Sequence, residues 1–190
     1  GSALASGKAA INEPWRATSK VKATSAGIMF DQVEFQYGPE ERVMHLTGTA
    51  EVKLGAQPRL QGLFSARHID LDRLVATPDT LRRLPFAAIK TFAEIFGDTL
   101  QPTLPTRLAV SVDTVTLGGA TLQTVAADLS TGGDGWQLDK LEFRAPGFTQ
   151  VRASGRLAPT AKGLGFAGLA NVNATDSMTL LAWLTGSSNP

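Results

Sequence analysis

From about residue 28 onward the chain is written in short runs of alternating apolar and polar residues, each ended by glycine or proline. A period of two sends successive side chains to opposite faces of an extended strand, so the pattern commits the chain to sheet. Strands are expected near 28–37, 43–54, 60–69, 107–117, 121–130, 136–144, 149–157 and 164–173. Between them lie Tyr37-Gly38-Pro39, Gly55-Ala56-Gln57-Pro58, Gly118-Gly119, Gly132-Gly133-Asp134-Gly135, Pro146-Gly147 and the stretch from Pro159 to Gly163. These supply positive or fixed φ for tight turns, which favour antiparallel neighbours. Met44, Leu46, Gly48, Ala50, Val52 and Leu54 alternate with His45, Thr47, Thr49, Glu51 and Lys53. Val151, Ala153, Gly155 and Leu157 alternate with Gln150, Arg152, Ser154 and Arg156. Such a sheet has one dry face and one wet face.

Two stretches about half the chain apart carry the same order of strands. Asp31-Gln32-Val33-Glu34-Phe35 returns as Asp139-Lys140-Leu141-Glu142-Phe143, an offset of 108 between Asp31 and Asp139. Leu46-Thr47-Gly48 aligns with Ala153-Ser154-Gly155 at 107 (Gly48 to Gly155), and Leu60-Gln61-Gly62 with Phe166-Ala167-Gly168 at 106 (Gly62 to Gly168). Asp70 and Asp72 then lead to Leu74, as Asp176 leads to Leu180 and Leu181. The fold class expected is mainly β: a curved antiparallel sheet built from two similar strand units, with one or two short helices near 78–96 and 177–184. The expected organisation is an irregular segment 1–27, a first β unit 28–76, a helical insertion and proline-rich linker 77–105, a second β unit with a short C-terminal helix 106–185, and a tail 186–190.

For the first helix, Thr77 can cap, Pro78 can open and Gly97 can stop it, and Pro85 should kink or divide it. Phe86, Ile89, Phe92, Ala93 and Phe96 share one side, with Lys90, Thr91 and Glu94 opposite. That apolar side covers an end of the sheet or faces a membrane or partner. The second helix, starting after Asp176 or Ser177, is expected to bury Met178, Leu181 and Leu184.

With 43% hydrophobic and 18% charged residues the chain has enough apolar surface to fold nearly throughout. A net charge of +1 gives no broad attraction for a phosphate backbone, so nucleic acid is not an expected partner. The absence of cysteine excludes disulfides and thiolate chemistry. No run of 18 apolar residues and no signal-peptide pattern is present, so this stretch is expected to be soluble. The opening Gly1-Ser2 reads as a cloning remnant, which leaves room for a targeting or membrane segment upstream in the natural protein.

No nucleophile elbow, Walker loop, H-E-x-x-H or dinucleotide fingerprint occurs, so no enzymatic activity, cofactor or metal is expected. His68, Asp70 and Asp72 fall on one side of an extended strand and could hold a metal, but short acids where a strand ends also satisfy backbone amides. Glu40-Glu41-Arg42 reads as a solvated turn, Glu94 with Asp98 as a helix-end pair, and Asn173-Ala174-Thr175 matches a glycosylation sequon. Gly48, Gly62, Gly155 and Gly168 fall on the dry face, where strand glycine marks either sheet curvature or room for an apolar ligand.

Leu63-Phe64-Ser65-Ala66-Arg67-His68-Ile69-Asp70-Leu71-Asp72-Arg73-Leu74 resembles the L-x-A-x-x-I-D-L-D-x-L segment of AsmA-like proteins of Gram-negative bacteria. Leu117-Gly118-Gly119-Ala120-Thr121-Leu122, Gly135-Trp136-Gln137-Leu138, Ala145-Pro146-Gly147 and Ala153-Ser154-Gly155 are similar to repeating strands of the same family, and the likeness covers most of residues 28–185. The resemblance implies a periplasmic protein tethered to the inner membrane by an N-terminal helix. Its strands would form an apolar groove serving phospholipid transport and outer-membrane assembly or maintenance. Phospholipid or another acyl-chain lipid is then the expected partner, with outer-membrane assembly proteins as further partners. An alternative is a periplasmic scaffold that binds other envelope proteins through sheet edges. Alternation, glycines and resemblance together nominate Met44, Leu46, Val52, Leu60, Phe64, Val151, Leu157, Leu164, Phe166 and Val172 as groove-lining residues.

Overall fold

A computed structural model describes residues 15–38, 43–76, 84–96, 104–132, 135–160 and 163–187. The chain is mainly β and forms one open sheet of nine strands in sequence order. These are β1 (Trp15–Ala23), β2 (Gly27–Tyr37), β3 (Met44–Lys53), β4 (Arg59–Asp70), β5 (Thr106–Leu117), β6 (Ala120–Gly132), β7 (Gly135–Ala145), β8 (Thr149–Thr160) and β9 (Gly163–Asn173). Among the described residues three short helices, α1 (Leu71–Leu74), α2 (Pro85–Phe96) and α3 (Ser177–Thr185), complete the order. The segment through residue 27 was expected to be irregular, but β1 occupies part of it and pairs with β2.

Seven of the eight strand pairings are antiparallel, as the tight turns require; β4 and β5 are parallel. That exception has a physical cause: the connection from Asp70 to Thr106 is long and carries helices, and a parallel neighbour needs such a crossover.

The repeat holds in the backbone. A bulge falls between Phe30 and Val33 in β2 and between Leu138 and Leu141 in β7, both at the offset of 108. Asp70 caps α1 by accepting from the Arg73 amide at 2.9 Å, and Asp176 caps α3 by accepting from the Thr179 amide at 3.1 Å, both displaced by 106. One alignment shifts: Val33 faces Gly48 and Leu141 faces Ala153, so Gly48 corresponds to Ala153 rather than to Gly155. The turn after β7 is shorter than the turn after β2, and that shortening moves the register.

Helix contacts depart from expectation. Thr77, Pro78 and Gly97 lie outside the described residues, and Pro85 stands at the first position of α2. Pro85 and Ala88 are buried, whereas Phe86 and Ile89 point outward at 69% and 47% exposure. In α3, Met178 and Leu181 are exposed, and Leu180 and Trp183 pack inward. The core thus sits at one end of the sheet, where Ala66, Ile69, Val112, Val115, Leu117, Leu122 and Ala145 meet Val75 and Ala88.

Candidate functional site

Strand registers assemble one continuous apolar face. Ala50, Gly62, Leu108, Leu129, Leu138, Gly155 and Gly168 are successive cross-strand neighbours, as are Gly48, Phe64, Val110, Ala127, Leu141, Ala153 and Ala170. A third row contains Val52, Leu60 and Thr106, and beyond β6 it resumes as Trp136, Leu157 and Phe166. Six strand spacings of about 4.8 Å, from β3 to β9, make these rows roughly 29 Å long. The opposite face carries charge pairs: Arg152 of β8 with Glu142 of β7 at 3.1 Å across the strands, and Lys140 with Glu142 at 3.0 Å along β7.

Among the described residues, helices cover this face at one end. Among the nominated lining residues, Met44, Leu46 and Val151 are partly buried and pack against the helix-covered core. Val52, Leu60, Phe64, Leu157, Phe166 and Val172 lie on the remainder of the face, outside that cluster. Phe166 and Val172 are 47% and 56% exposed. Leu164 has a side chain outside the described residues. Leu108, Ala127, Leu129 and Leu141 extend the same face through the centre of the sheet. Leu108, Ala127 and Leu129 sit on β5 and β6, between the two repeats on which the nominations rested, whereas Leu141 belongs to the second repeat and was readable there.

The dry-face glycines accommodate phenyl rings. A methyl group at Gly62 would sit 2.7 Å from Phe64 Cε2, and one at Gly48 would sit 2.8 Å from Phe64 Cδ1. Phe166 lies likewise over Gly155 and Gly168, 2.8 Å from a methyl at either. Each ring covers backbone that glycine leaves bare, so the space expected for a ligand is taken by the protein's own aromatics.

The His68, Asp70 and Asp72 cluster is engaged locally. His68 Nδ1 lies 2.9 Å from Thr114 Oγ1, and Asp70 accepts from the Arg73 amide. Asp72 accepts from the amides of Gly118 at 2.8 Å and Gly119 at 2.7 Å, pinning the β5–β6 turn to α1. Trp183 Nε1 donates to Leu117 O at 2.9 Å from the α3 side. A hollow lined by Arg144, Phe148, Gln150, Asn173 and Thr175 lies away from the apolar face, since Arg144, Gln150 and Asn173 alternate with apolar-face residues. No group of three or more potential metal ligands and no helix long and apolar enough to cross a membrane occurs among the described residues.

Comparison with protein-family models, curated proteins and solved structures finds no match to this chain.

Proposed function

We propose that the uncovered part of the apolar face binds acyl chains of phospholipid or a similar lipid, within a non-enzymatic envelope protein of the AsmA-like type. The observation that carries the reading is the continuity of that face across the sheet, with described helices packed over one end. An apolar area of this extent left to water is costly, and it marks a binding surface. Each methylene taken from water contributes about 0.8 kcal/mol, so a single acyl chain gains substantially from lying along the lanes. The AsmA-like resemblance supplies the lipid class, the periplasmic location and the link to outer-membrane maintenance.

Replacing both Phe64 and Phe166 with aspartate tests the reading. The expected result is loss of co-purifying phospholipid, measured by mass spectrometry of organic extracts, with the β circular-dichroism signal retained because an open face can hydrate a carboxylate. Unfolding would instead place the two rings in a closed core, since an unpaired buried charge costs several kcal/mol.

A further inference from the structure

We propose that the hollow lined by Arg144, Phe148, Gln150, Asn173 and Thr175 binds one acidic sugar, a hexuronic acid either free or at the end of a glycan. The inference does not rest on lipid binding, because Arg144, Gln150 and Asn173 stand on the polar face, beside the apolar row of Phe143, Val151 and Val172 on the other. Register sets Arg144, Gln150 and Asn173 directly opposite one another on β7, β8 and β9. Two strand spacings of about 4.8 Å put Arg144 and Asn173 roughly 10 Å apart, with Gln150 between them. That span suits one pyranose ring. The walls are fixed before any ligand arrives. Gly147 O accepts from the Asp176 amide at 3.0 Å, and Thr149, fully buried, donates its hydroxyl to Pro146 O at 2.7 Å. A methyl group at Gly147 would collide with the Asp176 carbonyl, so the β7–β8 turn and the segment after β9 are held tightly together. A site ordered in advance loses little entropy on binding.

The side chains fix the ligand class. Carboxamides both donate and accept, as sugar hydroxyls do, and Gln150 and Asn173 supply two of them beside the Thr175 hydroxyl. A guanidinium donates in a planar fork that matches a carboxylate. No acid lines the hollow: the Asp176 carboxylate is engaged by Thr179, and Glu142 is taken by Lys140 and Arg152. Among the described residues, the side chains of Arg144, Gln150, Asn173 and Thr175 make no hydrogen bond or ion pair. Phe148 adds the remaining element. Its backbone is left-handed at φ 52, where a bulky residue is strained and glycine or asparagine would not be, yet its ring is 81% exposed. Burial therefore does not account for a phenylalanine here, and strain kept at such a place points to binding. The negative face of a phenyl ring attracts the C–H face of a sugar. The volume, about 320 Å³, lies at the small end of ligand cavities, enough for one sugar ring and far more than an inorganic anion fills.

The test titrates the full chain with D-glucuronate and follows its amide resonances by NMR, with D-glucose, acetate and inorganic phosphate compared at the same ionic strength. Glucuronate should give saturable shifts at Phe148, Gln150, Asn173 and Thr175. Glucose, which lacks the carboxylate, should bind about ten-fold more weakly, and acetate and phosphate, which lack the ring, weaker than glucuronate as well. Arg144→Gln should bring glucuronate level with glucose. Phe148→Gly relaxes the turn, so it should melt no lower than the parent and still bind glucuronate several-fold more weakly. Arg156→Gln, on the same face but outside the hollow, should leave binding unchanged. A glucuronate that ends a disaccharide separates the two sources: tighter binding than the monosaccharide marks a glycan end, and equal binding marks a free sugar. Absence of saturable shifts at the four residues, equal affinity for acetate or phosphate, or unchanged binding in Phe148→Gly would overturn the proposal.

Discussion

At Gly155 and Gly168 two backbones approach so closely that a methyl group on either would lie 2.6 Å or less from the opposing Cα. Neither residue has a left-handed φ, so conformation alone would admit alanine. Steric overlap decides the sign: alanine reduces unfolded-state entropy by about 0.4–1 kcal/mol, while overpacking costs about 1–3 kcal/mol. Gly155→Ala and Gly168→Ala are therefore each expected to lower the urea midpoint, by a net ~1–2 kcal/mol. Asp176 is a second residue whose chemistry is local. The Thr179 hydroxyl, at 2.6 Å from Oδ2, and then the Thr179 amide hold its carboxyl below the ordinary aspartate value. A folded pKa below the unfolded one means that the stabilisation is present above about pH 4 and disappears as pH falls through the lowered value. Thermal melts should show Asp176→Ala less stable than the parent at pH 7, with the gap narrowing progressively below pH 4.

The β5–β6 turn is the point where the helices are fixed. Asp72 from α1 takes both glycine amides of the turn, Trp183 from α3 donates to the carbonyl just before it, and Pro85 of α2 packs against Gly118. Hydrogen bonds to a charged acceptor contribute about 1.5–3 kcal/mol each, reduced where the group is partly solvated. Asp72→Ala should then cost about 2 kcal/mol in urea unfolding, whereas His68→Ala, which removes one exposed contact to Thr114, should cost under about 1 kcal/mol. Strands from β2 to β9 were legible because each pairs alternation with turn residues that permit few conformations. Strand β1 escaped because its apolar positions, Trp15, Ala17, Val21 and Ala23, are interrupted by Ser19 and mostly small, and all nine of its residues are exposed. Its alternation with Arg16, Thr18, Lys20 and Lys22 was nonetheless present. Of the two readings of the bulky side of α2, covering the sheet end fails for Phe86 and Ile89, which are exposed. Bulk marks Phe86 and Ile89 as a core face, but the close approach of Pro85 to Gly118 admits small residues, and Ala88 is fully buried.

Taken as one object, the molecule is a single sheet whose apolar face is closed by helices at one end, so any ligand on that face should occupy it unequally. Sequence alternation identified the face, yet it could not distinguish covered lanes from uncovered ones, because coverage depends on where the crossover helices return. The three tryptophans report on this directly. Trp183 sits among the helices and bonds to Leu117, Trp136 shares the apolar side of β7 with Leu138 away from that cluster, and Trp15 lies on the edge strand at 65% exposure. An acyl chain brominated along its length quenches indole fluorescence on contact. Variants that keep one tryptophan each, with phenylalanine at the other two positions, separate the signals. Bromolipid should quench Trp136 strongly and Trp183 weakly, with Trp15 unaffected if the chain keeps to the central lanes. Equal quenching of Trp183 would mean that lipid displaces the helices and that the helical end opens. Strong quenching of Trp15 alone would put the ligand on the β1 edge and remove the central face as its site.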